Sequence, residues 1–279
     1  MVEQKLSIAS LQDQQSSNAN TKLIAEIGLN HIALLVKNNA TTQAFELYNL
    51  QSNNGNWETI FNAVFNQSNI LAKSYPKTNV FINTLEALIV PAEKFRQESM
   101  EPYLAAVYGN ANNYKCEADI INIPTNPATI YRCPLLLDIE LKKRLGVFTY
   151  KHTYTKILEN LLGNGKMLLE MLKVQFYAKT MLVTVIYGNK LMLMQSYPYN
   201  SPEDIIYYLL NIVQEFSLNV SSTPVEVSGM IDINSRHFEL LENVFGRLSL
   251  ETIPTESIFK EHLNVANAHY YTPFINLSL

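Results

Sequence analysis

From Lys22 onward the apolar positions fall into short runs bounded by turn residues, and then into helical spacing. Leu23–Gly28, Ile32–Lys37 and Ala44–Leu50 read as three strands separated by a tight turn and by Asn38-Asn39, which makes an antiparallel meander. Gln51–Asn56 is a turn-rich linker. Trp57–Phe65 then places apolar residues three and four apart, the signature of a helix lying on a sheet.

The second half repeats this order. Met171–Tyr177, Met181–Tyr187 and Leu191–Tyr197 read as strands, the last two joined by Gly188-Asn189, a pair suited to the positive φ angles of a two-residue hairpin. Ser201-Pro202-Glu203-Asp204 offers a capping serine, a proline at the first helical position and an acid three residues after the cap. Ile205, Ile206, Leu209, Leu210, Val213 and Phe216 follow as the buried stripe of that helix. Pro224–Gly229 reads as a strand ending in glycine, and Ser235–Phe245 as a helix with Gly246 at its end.

Two strand-strand-strand-helix units about 150 residues apart point to a duplication. A right-handed crossover through each helix puts the fourth strand parallel to the first, giving mixed sheets. The expected organisation is a lobe over 21–165 and a second over 166–279. Residues 1–20 lack hydrophobic periodicity and are expected to be a disordered tail. The stretch from His269 to Leu279 carries Tyr270, Tyr271, Phe274, Ile275 and Leu277, too apolar to stay in water, so it is expected to pack back on the body.

Composition narrows the classes. The chain has 279 residues, 47% of them hydrophobic, enough for two buried cores. Lys and Arg number 21 against 25 Asp and Glu, a net charge of −4, and the longest basic run is Lys142-Lys143-Arg144. Counterion release has little to act on, so no nucleic acid is expected as a partner. No apolar run is long enough for a membrane helix, because Met181–Met194 is broken by Gly188, Asn189 and Lys190. A cytoplasmic location is expected, with Cys116 and Cys133 as free, half-buried thiols.

Several stretches carry a family resemblance. They are Leu88–Phe95 with Tyr103-Leu104, Tyr131-Arg132-Cys133-Pro134, Lys151-His152-Thr153-Tyr154-Thr155, Gln195–Tyr199 running on through Glu203–Leu210, and Val227-Ser228-Gly229. In their order and spacing, from about Lys22 to about Leu250, they resemble an uncharacterised bacterial family typical of Bacteroidota with an actin-like fold. The fold implied is α/β, two ribonuclease-H-like lobes with mixed sheets and flanking helices, as in the actin, sugar-kinase and chaperone ATPase superfamily.

That superfamily uses ATP with magnesium, which sets the candidate residues here. An acid followed by glycine at the first hairpin would meet metal and phosphates, and Glu26-Ile27-Gly28-Leu29-Asn30 takes that place, with glutamate for the usual aspartate and Asn30 for a hydroxyl residue. Gly28 equally serves as a plain turn glycine. The second phosphate hairpin would need an aspartate and glycines, yet none lies between Met171 and Tyr187. Lys179 in Tyr177–Thr180 is the one cation there, and a solvated turn lysine is its simpler reading. Gly229 in Ser228-Gly229-Met230 stands where the superfamily places paired glycines near adenosine. These five residues, Glu26, Gly28, Asn30, Lys179 and Gly229, form the expected relic of a nucleotide cleft.

Other constellations are weaker. Gly163-Asn164-Gly165-Lys166 lacks both the first glycine and the hydroxyl residue of a phosphate loop. The five histidines show no metal-ligand spacing, so no metal site is expected. His152 reads as a residue capping or packing beside a helix from Thr153 to Leu162, set against a catalytic role for which no neighbour in sequence supplies a nucleophile. Tyr197, Tyr199, Tyr207 and Tyr208 read either as core with hydroxyls at the rim or as a recognition surface.

The resulting expectation is a non-catalytic scaffold or adaptor with a protein partner and no cofactor. The rival is a nucleotide-binding switch holding ATP and magnesium, of the kind found among pilus-type actin-like proteins. A small-molecule kinase ranks last, since only Asp119 and Asp138 are placed to supply its carboxylate.

Overall fold

The structure, a computed structural model, describes residues 2–9, 20–39, 41–51, 55–163, 170–252 and 265–279. These residues divide into two units, one of residues up to 163 with 276–279, the other of 170–252 with 265–275. Among them no helix is long and apolar enough to cross a membrane.

In the first unit the meander is β2 (Thr21–Gly28), β3 (His31–Asn38) and β4 (Thr41–Leu50). Helix α1 (Trp57–Gln67) leads to β5 (Lys77–Asn83), which lies parallel to β2 with Lys22 opposite Lys77 and Gly28 opposite Asn83. Short β9 (Thr149–His152) adds in parallel to β5, and α4 (Thr153–Leu162) follows it directly.

Residues 1–20 were expected to be without structure, and that reading is corrected over Val2–Ala9. These residues form β1, antiparallel to β4 from Val2–Leu50 to Ala9–Ala44. Sparse apolar content misled, because an edge strand draws on main-chain hydrogen bonds and needs apolar residues on one face only. Ile8 is buried and Val2, Gln4 and Leu6 are half-buried, while Glu3, Lys5 and Ser7 face out. Residues 10–19 lie outside the described residues. The sheet order is β1-β4-β3-β2-β5-β9.

Between β5 and β9 the chain builds a separate three-stranded sheet, β6-β8-β7, from β6 (Ala87–Val90), β7 (Tyr114–Ile120) and β8 (Ala128–Pro134). Helices α2 (Met100–Tyr108) and α3 (Leu135–Leu145) accompany it. Its anchor is Arg132, whose buried guanidinium meets Glu86 at 3.0 Å, Glu101 at 2.7 Å and the Gly109 carbonyl at 2.9 Å. A buried guanidinium is tolerable when its charge and its terminal nitrogens are met in this way.

The second unit repeats the plan without the inserted sheet. Strands β10 (Glu170–Phe176), β11 (Thr180–Tyr187) and β12 (Lys190–Pro198) form the meander. Helix α5 (Pro202–Glu215), strand β13 (Val225–Gly229), helix α6 (Arg236–Val244) and strand β14 (Leu248–Leu250) follow. The order β12-β11-β10-β13-β14 matches β4-β3-β2-β5-β9 strand for strand, with β13 parallel to β10 and β14 parallel to β13.

Local chemistry sets these boundaries. Ser201 Oγ accepts from the Asp204 amide at 3.2 Å while Asp204 Oδ2 accepts from the Ser201 amide at 3.0 Å, a reciprocal cap worth about 1 kcal/mol. Ile205 and Leu209 of α5 and Leu241 of α6 then bury against Leu172, Val174 and Val183. Each such side chain contributes about 2 kcal/mol on leaving water. Near the end of the chain, His269, Phe274, Ile275 and Leu277 are buried, and helix α7 spans Thr272–Asn276.

Candidate functional site

The β2–β3 turn turns its carboxylate inward. Glu26 is 1% exposed, and its Oε1 accepts from Asn83 Nδ2 at 2.9 Å and from Thr153 Oγ1 at 2.9 Å. Its Oε2 lies 3.4 Å from His31 Nε2. Gly28 has an ordinary φ, so its role is spatial: a β-carbon there would stand 2.3 Å from His31 Cε1. The histidine ring therefore fills the volume that a glycine would leave open to a ligand. Asn30 completes the turn, its carbonyl accepting from the Leu50 amide at 2.9 Å.

Behind this turn, β9 feeds α4 through a buried polar knot. His152 Nδ1 accepts from the Tyr154 amide at 3.1 Å and so caps α4, as the sequence predicted. That bond leaves the ring proton on Nε2, which donates to the Thr84 carbonyl at 3.2 Å. Burial holds His152 neutral and brings its pKa down to about 3. Asp119 Oδ2 accepts from the His152 amide at 2.6 Å and from Thr155 Oγ1 at 3.0 Å, and Oδ1 from the Tyr131 hydroxyl at 3.4 Å. Burial outweighs those donors and pushes Asp119 up to about 6. Asp138, the other carboxylate raised from sequence, is engaged by Lys142 one helical turn on, at 2.5 Å.

In the second unit, Lys179 lines a cavity and Gly229 directly precedes another of its lining residues, Met230. The β10–β11 turn is tight, with the Tyr177 amide donating to the Thr180 carbonyl at 2.8 Å, and Lys179 is exposed at its tip. Gly229 is required by its backbone: φ is +89° and a β-carbon would lie 2.1 Å from the Phe176 carbonyl oxygen. The next amide, Met230, donates to that oxygen at 2.8 Å.

A cavity of about 400 Å³ follows, lined by Lys179, Tyr199, Met230, Asp232, Ser235 and His237 among others. Tyr199 is fixed by its hydroxyl, which donates to the Tyr177 carbonyl at 2.9 Å, and burial pushes its pKa up to about 12. Asp232 Oδ1 accepts from the Asn234 amide at 2.8 Å, and Ser235 caps α6. Buried His269 holds the far side of this loop through Nε2–H to the Ile231 carbonyl at 2.9 Å.

The five sequence candidates thus form two groups, Glu26-Gly28-Asn30 in the first unit and Lys179-Gly229 in the second. Sequence reasoning missed His31, Asn83 and Thr153 around Glu26, which only the strand register assembles. It also missed Asp232 and Ser235, although Asp-x-Asn-Ser before a helix is a readable turn and cap. Tyr197, Tyr199 and Tyr208 pack on the core and Tyr207 is exposed. Cys133 is buried and Cys116 donates to Glu101 at 2.7 Å. Residues 164–167 of the glycine-lysine stretch lie outside the described residues. Among the described residues no group of His, Cys, Asp and Glu is placed to hold a metal ion.

Known structures share this architecture. A Bacteroides thetaiotaomicron protein of actin-like ATPase fold and unknown function superposes with TM-score 0.77 at 15% identity, over 94% of this chain and 96% of that one. The type IV pilus biogenesis complex PilM-PilN gives TM-score 0.56 at 12% identity, over 94% and 97%. No curated protein matches in sequence. The fold is therefore the actin-like ATPase fold, and with residues 12–246 matching it, the chain belongs to DUF3822, a family of proteins of unknown function.

Proposed function

We propose that this chain is a non-catalytic member of the actin-like fold that acts as a scaffold or adaptor for a protein partner in the cytoplasm. The observation that carries the reading is the β2–β3 turn. Glu26 spends its carboxylate on Asn83 and Thr153, and His31 sits where phosphate would approach Gly28. A magnesium triphosphate does not fit these residues. Phosphoryl transfer relies on positioned charge and amide donors around the leaving phosphates, and Tyr177–Thr180 offers neither acid nor glycine. A kinase reading is weakened further because Asp119 and Asp138 are both engaged internally. PilM, resolved together with PilN, is an instance of this fold as one half of a protein complex, and it motivates the search for a protein partner here.

The nucleotide-switch reading draws on one feature, the 400 Å³ cavity beside Lys179 and Met230. Two measurements separate the readings. Phosphate release from ATP with magnesium is compared between wild type and Glu26→Gln, which keeps the shape of the knot while removing its charge. Nucleotide binding is followed separately by calorimetry on wild type and Lys179→Gln. The scaffold reading expects no magnesium-dependent release. Turnover that Glu26→Gln abolishes would overturn it, and tight ATP binding lost in Lys179→Gln would favour the switch.

A further inference from the structure

Like charges rarely sit in register on neighbouring strands, because directly opposed side chains lie within about 5.5 Å. Here three do. Lys22 on β2 pairs with Lys37 on β3 and with Lys77 on β5, which places three ammonium groups in a row on one face of the first unit's sheet. Lys151 on β9 and Lys156 on α4 join them. Lys22, Lys151 and Lys156 line a cavity of about 170 Å³ together with Asn79, Thr149 and Glu159.

The charge is not balanced locally. Glu159 is the one carboxylate side chain lining that cavity, and it is engaged by Lys151 at 3.0 Å. Lys37 donates to the Ser278 main-chain oxygen at 2.9 Å and Lys156 to that of Leu279 at 2.9 Å. Among the described residues Lys22, Lys37, Lys77 and Lys156 make no ion pair with a side-chain carboxylate. Five lysines against Glu159 leave a surplus of positive charge, and a terminal carboxylate at Leu279 would reduce it without cancelling it. Burial first, and repulsion from neighbouring lysines second, hold Lys22 and Lys37 below the ordinary lysine range. Burial also holds Lys156 low, with attraction to Glu159 opposing it and repulsion from Lys22 and Lys151 adding to it. A protein that keeps such a cluster with less counter-charge than it has lysines breaks a local rule of sheet stability, and such breaks concentrate at functional sites.

We infer that this corner of the sheet is a binding site for a small anion carrying two or more phosphoryl groups. Ammonium groups on flexible stems gather around phosphate oxygens as point charges, whereas planar carboxylates are matched better by arginine, which the cluster lacks. Thr149 donates to Asn79 Oδ1 at 2.9 Å, which commits the acceptor of that amide and keeps its N–H donors for a ligand. The site is separate from the β2–β3 turn: Lys22 and Glu26 point to the same sheet face but stand about 13 Å apart along β2. The inference therefore stands or falls independently of the nucleotide question.

The test is thermal melting of the full chain with inorganic pyrophosphate, against sodium sulfate and sodium chloride at matched ionic strength. Wild type should rise saturably by about 5 °C. Lys22→Met and Lys156→Met should melt higher than wild type without ligand, since repulsion is relieved, and should lose the pyrophosphate response. Lys77→Gln, at an exposed position, serves the same comparison should either fail to fold, and Lys190→Gln, on the β11–β12 hairpin of the second unit, should respond as wild type. A sugar bisphosphate in a parallel arm separates an organic from an inorganic ligand, and a saturable rise with either supports the site. No rise, an equal rise with sulfate, or an undiminished rise in the lysine variants overturns it.

Discussion

The imidazole of His31 lies over the α-carbon of Gly28, so close that a β-carbon at position 28 would stand 2.3 Å from its Cε1. Because the backbone φ of Gly28 is one that any residue adopts, the constraint is contact alone. Gly28→Ala should destabilise by about 1–3 kcal/mol, the usual effect of overpacking. The same change in a His31→Ala background should be close to neutral. Urea melts of the four proteins give the coupling directly, and equal losses in both backgrounds would show that the ring does not fill the turn.

Strand β1 sets a second expectation. It covers the edge of β4 along seven paired positions, with Ile8 buried against the sheet. Removing residues 2–9 uncovers main-chain donors and acceptors along β4, an edge open to pairing with another chain. The truncated protein should melt several degrees lower and self-associate with rising concentration in light scattering. An unchanged melt and a monodisperse solution would count against any structural role for β1.

A third concerns the buried ammonium of the second unit. Lys173, 4% exposed at its side chain, meets Glu226 at 2.6 Å and Glu251 at 2.5 Å. Glu226 is partly open to water and can resolvate, while Glu251 is largely enclosed. Lys173→Met should therefore cost roughly 2–4 kcal/mol, because it removes the ammonium that both carboxylates share. Lys173→Arg should recover part of it. A loss below about 0.5 kcal/mol, the scale of an exposed pair, would mean the three groups are more solvated than they look.

Much of the fold is legible in the sequence because it is written in local signals. The meanders, Gly188-Asn189, the Ser201 cap and the His152 cap each depend on residues within a few positions of one another. The polar knots are not local. Glu26 finds Asn83 57 residues away and Thr153 127 away, and nothing near Glu26 announces that its carboxylate is already engaged. Glu46 is similar: buried on β4, it accepts from Tyr48, Ser68 and the amides of Asn69 and Ile70, a role that only the packing of the chain after α1 creates. Strand β1 escaped for another reason, since a half-exposed edge strand has the composition of a polar tail. The lysine row was invisible because Lys22, Lys37 and Lys77 become neighbours only through strand register.

The Asp119–His152 pair makes the sharpest prediction, because its two titrations oppose each other. His152 has a folded pKa of about 3 against an ordinary 6.5, so as pH falls through 6.5 the unfolded chain takes up a proton that the folded chain refuses, and folding weakens. Asp119 has a folded pKa of about 6 against 3.8, so between those values the folded chain binds the extra proton and folding strengthens as pH falls. From about pH 6 to 4 the two effects cancel in wild type. Asp119→Asn removes the second alone, and its stability relative to wild type should fall toward low pH with a slope approaching 1.4 kcal/mol per pH unit, roughly one proton. His152→Asn keeps a capping side chain for α4 and removes the first, so its relative stability should rise over the same window. Plotting each variant against wild type cancels the other titrating groups. Two flat difference curves would show that neither group titrates apart from its unfolded value, and two curves of the same sign would show that the groups do not act in opposition.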